Sequence, residues 1–159
     1  MEETRISGNV STKLRRIAQL AEVDPKRALL SLSHYIDLEF LREAYRLTRK
    51  DGVAGVDGQR AEDFAANLDE NLKDLLDGLK SGRYRAPAVR RVRIPKGDGK
   101  KTRPLGIPTF ADKVLQRAVA MVLTAVYGED FLDCSYGFRP GRSAHQALRA
   151  LREGLMSMS

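Results

Sequence analysis

Apolar residues recur at helical spacing along much of the chain. Leu14, Ile17, Leu20 and Ala21 form a first stripe, with Ser11 as a candidate cap. Asp24-Pro25 reads as a second start, an N-cap followed by proline at the first helical position, and the helix it opens carries Ala28, Leu29 and Leu32. Asp37 is placed to cap a third helix running through Lys50, with Leu38, Leu41, Tyr45 and Thr48 on one face. His34, between these segments, is expected to pack or to cap. Phe64, Leu68, Leu72, Leu75, Leu76 and Leu79 make one long stripe that Ser81-Gly82 ends; its leucines are core. Thr109 and Asp112 form an S/T-x-x-D start for a helix carrying Val114, Leu115, Ala118, Val122 and Val126, closed by Gly128. Ser143 with Gln146 opens the last helix, on Ala144, Ala147, Leu148, Leu151 and Leu155.

The period changes between the leucine stripe and Thr109. Val92 and Ile94 alternate with Arg91 and Arg93, which puts apolar side chains on one face of a strand and guanidinium groups on the other. Pro95 ends that strand, Lys96 to Lys101 has the glycine and Asp chemistry of a turn, and Thr102 to Ile107 returns with Leu105 and Ile107 alternating. The expected fold is therefore α+β, mainly helical, with one short antiparallel hairpin or small sheet. Four regions are expected: residues 1–36, 37–82 with a glycine-rich loop at 51–58, 83–133 with the hairpin, and 134–159.

Two loops interrupt the helices. Gly52, Gly55 and Gly58 make a continued helix too costly, and their loop either touches nucleic acid or simply joins two helices. Tyr136 to Arg142 interleaves two aromatics with two arginines, which suits stacking on bases and neutralising phosphates. A buried Tyr-Phe pair beside surface arginines fits the same letters. His145 reads as solvated or capping.

Charge sharpens this picture. Between Arg83 and Arg103 there are nine Arg or Lys residues (Arg83, Arg85, Arg90, Arg91, Arg93, Lys96, Lys100, Lys101, Arg103) against one acid, Asp98, a local net charge of +8 in a chain whose total is +7. The rest of the chain sums to −1, so the basicity is concentrated in the hairpin. Localised charge fits phosphate binding better than charge spread for solubility, although lysines also keep a hairpin's edges from pairing with other chains. The 159 residues suit one domain, short for a complete polymerase or synthetase. One Cys excludes an intrachain disulfide, and two His make a zinc site improbable. No apolar run reaches membrane-spanning length and Glu2-Glu3 does not open a signal peptide, so a cytoplasmic setting without membrane contact is expected.

Three blocks in one order carry a resemblance: Lys50 to Gly58 (KDGVAGVDG), Arg90 to Thr109 (RRVRIPK…KTRPLGIPT) and Ser135 to His145 (SYGFRPGRSAH). From about Leu38 to about Leu155 the chain resembles the N-terminal part of group II intron-encoded reverse transcriptases, or maturases. The resemblance implies the fingers and first edge of the palm of a right-hand RNA-directed DNA polymerase. Lys96 and Arg103 match the pair that contacts the triphosphate of the incoming dNTP. A Lys gives a mobile point charge and an Arg a fixed fork, together offsetting charge on the leaving group. Pro104, Leu105, Gly106, Ile107, Pro108, Thr109 and Gln116 match the segment along the templating strand. Tyr136, Gly137, Phe138, Arg139, Arg142 and Ser143 match a second template-side loop. The loop with Gly52, Gly55, Asp57 and Gly58 matches an extension that clasps template RNA or the primer end. Arg90, Arg91, Arg93, Lys100 and Lys101 supply backbone charge.

The match has a limit. The family's metal-binding palm aspartates, including a Tyr-x-Asp-Asp element, come after the third block, and the chain stops at Ser159 before either. The expectation is a chain truncated before the catalytic palm, with no catalytic residue, metal ligand or cofactor of its own and with Mg implied only for a full-length enzyme. Three readings remain: a portion of a polymerase that grips template–primer and dNTP, a stand-alone RNA-binding module with intron RNA as a candidate target, and a degenerate remnant or subunit. The last would dock a palm-containing chain or self-associate through uncovered apolar surface.

Overall fold

The computed structural model describes residues 6–23, 32–97, 101–128 and 130–157. The helix start expected at Asp24-Pro25, the turn residues Asp98 and Gly99, and Lys100 lie outside them. The element order is α1 (Gly8–Val23), a 3₁₀ turn (Leu32–Tyr35), α2 (Leu38–Leu47), α3 (Ala61–Ala66), α4 (Leu68–Lys80), β1 (Arg90–Pro95), β2 (Thr102–Ile107), α5 (Phe110–Tyr127) and α6 (Ala144–Ser157). The fold is α+β, mainly helical, with one two-stranded antiparallel sheet.

Helix α5 is the beam on which the others rest. It buries Phe110, Val114, Leu115, Ala118 and Val122, one side of eighteen residues, against α1 and α2, with α3 and α4 closing the cluster. From α1 come Val10 and Ile17, from α2 Phe40, Leu41 and Ala44, and from α4 Leu72 and Leu75. An aromatic trio pins the junction of α2, α3 and α5: Phe64 and Phe110 have ring centroids 5.3 Å apart, and Tyr45 lies 6.1 Å from each.

Several starts and stops fall where the side-chain chemistry puts them. Asp37 caps α2, its Oδ1 accepting from the Phe40 N–H at 3.0 Å. Thr109 caps α5 through the Asp112 N–H, and Gly128 follows its last turn. Three expectations need correcting. Helix α1 begins at Gly8, so Ser11 lies inside it rather than capping it. Helix α2 ends at Leu47, because Thr48 leaves helical geometry with ψ 133°, and does not continue to Lys50. The long leucine stripe is two helices broken at Asn67, whose φ −125°, ψ 46° is not helical; the apolar spacing survives the break, so periodicity alone could not reveal it.

The hairpin is paired as its alternation requires: Arg90 opposite Ile107, Val92 opposite Leu105, Ile94 opposite Arg103, Pro95 opposite Thr102. Lys96 N–H closes the turn on the Lys101 carbonyl at 2.7 Å. The two strands pack chiefly on each other and are exposed along most of their length, so they form a free ribbon.

Candidate nucleic-acid interface

Directly paired residues of an antiparallel ladder share a face, so the register sorts the ribbon's charges. One face carries Arg90, Val92 and Ile94 with Arg103, Leu105 and Ile107; the other carries Arg91 and Arg93 with Pro104 and Gly106. Val92, Ile94 and Ile107 are half-buried, and the arginines are exposed. Arg103 stands beside Ile94 on the apolar face, and Lys96 follows the last residue of β1, at the start of the turn. The two cations singled out for a triphosphate thus both lie near the ribbon's free end. Both are exposed, and neither is ion-paired to an acid among the described residues. Gly106 leaves room for Val89, whose Cγ2 would stand 2.9 Å from a Cβ placed there.

The glycine loop is brought to the root of this ribbon. A Cβ on Gly55 would lie 2.7 Å from the Thr109 Cα and 2.8 Å from the Pro108 oxygen, so only glycine lets the loop seat on the chain leaving β2. Lys113 Nζ donates to the Val53 carbonyl at 2.7 Å and holds the same loop from α5. Gly58 takes φ +71°, a left-handed turn that favours glycine, and the Asp57 carboxylate accepts from the Gln59 N–H at 3.2 Å. A cavity of about 340 Å³ between loop and ribbon is lined by Gly52, Val53, Arg60 and Arg90, among others. Lys50 folds back instead, donating to the Tyr45 carbonyl and, at 2.6 Å, to the Thr48 carbonyl while sitting over the Tyr45 ring. Burial there lowers its pKa.

A polar network missed in the sequence lies under Thr109. Asp112 is buried; its carboxylate accepts from the Tyr84 hydroxyl at 2.9 Å and from the Gln116 amide nitrogen at 2.7 Å. Burial, then the Asp112 carboxylate, push the Tyr84 phenol far above its ordinary pKa. Asp112 was legible as a helix-start residue. Nothing local signals a partner 28 positions upstream.

The third block lies past the other end of α5, whose eighteen residues span about 27 Å, and so is not gathered with the first two at the helix N-terminus. Its arginines serve the loop itself. Arg139 donates to the Leu132 carbonyl at 3.1 Å and the Ser135 carbonyl at 3.3 Å, and stacks 5.0 Å from the Phe131 ring. Arg142 lies over Tyr136 and 3.6 Å from Asp133. Phe138 is left fully exposed at φ +58°, flanked by Gly137 and Arg139. Ser143 Oγ accepts from the Gln146 N–H at 3.3 Å and starts α6.

Among the described residues no three His, Cys, Asp or Glu side chains gather to hold a metal. Among them, too, no helix is long and apolar enough to cross a membrane.

Comparison with known proteins bears on this arrangement. No family model matches the chain. Protein YkfC of Escherichia coli (strain K12) is 41% identical over 147 residues, 90% of this chain and 38% of that protein. Group II intron-encoded protein LtrA of Lactococcus lactis subsp. cremoris is 48% identical over 84 residues, 53% of this chain and 14% of LtrA. Nuclear intron maturase 2, mitochondrial, of Arabidopsis thaliana is 42% identical over 43 residues, 27% of this chain and 6% of that protein. The chain therefore spans well under half the length of these relatives. Over about half of its own length its homologues are group II intron-encoded proteins and intron maturases, and that stretch is similar to a partial group II intron reverse transcriptase/maturase region.

Proposed function

We propose that this chain is the fingers portion of a group II intron-type RNA-directed DNA polymerase, gripping the RNA template–primer and the incoming dNTP. The observation that carries the reading is the free ribbon with Lys96 and Arg103 near its tip, exposed and without an acidic partner among the described residues. Two such cations can meet a triphosphate, the Lys as a point charge and the Arg as a two-pronged donor. Arg91 and Arg93 on the opposite face can meet a polynucleotide backbone at the same time. The seated glycine loop gives the ribbon's root a second wall. Template contacts fall to Pro104–Thr109 and Gln116, with Gly52–Gly58 beside them and the Tyr136–Ser143 loop farther along, past the other end of α5. Chemistry then requires palm carboxylates and Mg from elsewhere in the polymerase. The setting inferred is cytoplasmic.

The test is a split between two measurements. With a palm-containing segment supplied in trans, Lys96→Ala and Arg103→Ala should raise the KM for dNTP while leaving RNA affinity within about twofold, because only the nucleotide loses its phosphate partners. An equal loss of plain RNA affinity would assign the ribbon to RNA binding alone.

A docking role has one observation in its favour. The apolar stripe of α6 (Leu148, Leu151, Leu155) is exposed, and α6 buries none of its described residues. Light scattering of the chain alone and with a palm-containing segment would reveal self-association or pairing.

A further inference from the structure

Asp112 does more than start a helix. Its backbone N–H goes to the Thr109 hydroxyl, but its carboxylate is turned away from the cap, Oδ1 toward the Tyr84 hydroxyl and Oδ2 toward Gln116. A carboxylate offers only lone pairs, so Gln116 has to present its NH₂ group to it. The Gln116 amide oxygen is thereby turned away from Asp112. Tyr84, its phenol kept protonated by burial and by the acid beside it, holds Asp112 from the other side.

Gln116 is exposed, and it lines a groove of about 410 Å³ with Thr48, Arg49, Gly52, Lys113 and Arg117. Arg49 is paired with Asp51 and Lys113 holds the Val53 carbonyl, while Arg117 is exposed with no partner among the described residues. A polynucleotide backbone fits such a cationic groove, but a phosphate oxygen would be repelled by a fixed amide oxygen. What complements an outward acceptor beside cations is a donor, and along the sugar–phosphate backbone of a nucleic acid that is the ribose 2′-hydroxyl.

We propose that Tyr84 and Asp112 are positioning residues that hold Gln116 as an outward-facing acceptor, so that this groove reads a ribose 2′-hydroxyl and prefers RNA to DNA of the same sequence. The inference rests on the reading of this chain as an RNA-gripping portion. Deoxyribose offers no donor at this point, and one hydrogen bond corresponds to a preference of about threefold to tenfold.

The experiment compares affinities of the full chain for a single-stranded RNA and the DNA of the same sequence, at several salt concentrations. The unaltered chain should favour RNA by about that factor. Gln116→Met, similar in shape and with Asp112 still held by the Tyr84 hydroxyl, should bring the ratio to about one with the salt dependence unchanged. Asp112→Asn should do the same, because its NH₂ can face Gln116 and turn that amide round. Tyr84→Phe should lower the ratio alone but change nothing further in the Gln116→Met background. Equal affinity of the unaltered chain for RNA and DNA would overturn the proposal and leave the gripping reading standing; no binding to either at low salt would overturn both. A preference that survives Gln116→Met, a preference lost together with the salt dependence, or a further loss from Tyr84→Phe in that background would each overturn the proposal.

Discussion

Gly55 sits against Thr109 with no room for a side chain: the nearest atoms to a Cβ there are backbone, at 2.7 and 2.8 Å. Backbone at the start of α5 cannot yield as the end of a flexible side chain can. Gly55→Ala should therefore destabilise the chain by ~1–3 kcal/mol, the usual cost of forcing extra volume into a packed site. Gly52→Ala is the internal comparison, since its Cβ would meet only Lys113 Nζ at 3.7 Å. Chemical denaturation of the two variants should show a lower midpoint for Gly55→Ala, with Gly52→Ala close to the parent.

That contact marks what could and could not be read from the letters. The ribbon was legible nearly to the residue, because Pro95 and the alternation of Val92, Ile94, Leu105 and Ile107 are local signals with a single period. The caps at Asp37, Thr109 and Ser143 were legible for the same reason: each needs only a side chain and an N–H three residues on. The break at Asn67 was hidden under a leucine stripe that stays in phase across it. The seat of Gly55 on Thr109 and the Tyr84–Asp112 hydrogen bond join positions far apart in the chain, and spacing says nothing of such pairs. The arginines of the third block show how composition leaves a choice open. Their guanidinium groups are held by the loop's own carbonyls and rings, while Phe138 points outward instead of pairing with Tyr136 in a core.

Stability should fall on acidification, and the groups responsible can be named. Asp37 is subject to burial, which raises its pKa, but the Lys13 ammonium and the Phe40 N–H outweigh this and leave it below its ordinary value. Glu43 is also lowered, chiefly by its hydrogen bonds from Arg46 and against burial. A carboxyl whose folded pKa is depressed binds a proton more readily in the unfolded chain. Its contribution is then complete above the unfolded value and is lost as pH falls through the folded one. Unfolding free energy should accordingly be insensitive to these groups near neutrality and decline below about pH 4.3, the ordinary value for Glu. Asp37→Asn and Glu43→Gln should each flatten that decline in a pH series of denaturation curves.

RNA affinity should weaken steeply with salt, with a log–log slope on the order of −5 if about six phosphates are neutralised. Arg91 and Arg93 share one exposed face of the ribbon, so replacing either with Ala should reduce the slope by about 1. Arg139→Ala should act differently, since its guanidinium already bonds two carbonyls of its own loop. The expected result there is a small change of slope with faster proteolysis between residues 131 and 142.

Phe138 carries the clearest backbone strain among the described residues: a bulky side chain at φ +58°, fully exposed, in a loop that otherwise reserves left-handed geometry for Gly141. A left-handed non-glycine residue costs about 1–2 kcal/mol, and an exposed ring recovers none of it by burial within this chain. Glycine would remove the strain but add freedom to the unfolded chain, about 0.5–1 kcal/mol against it. Phe138→Gly should therefore be neutral to stabilising by up to ~1.5 kcal/mol in a denaturation curve. If the ring is there to stack on a base, the same change should weaken RNA binding by ~1–3 kcal/mol, and Phe138→Tyr should preserve it. Stability held or gained together with affinity lost would mark the ring as a contact for nucleic acid. Unchanged affinity in Phe138→Gly would remove this loop from the interface.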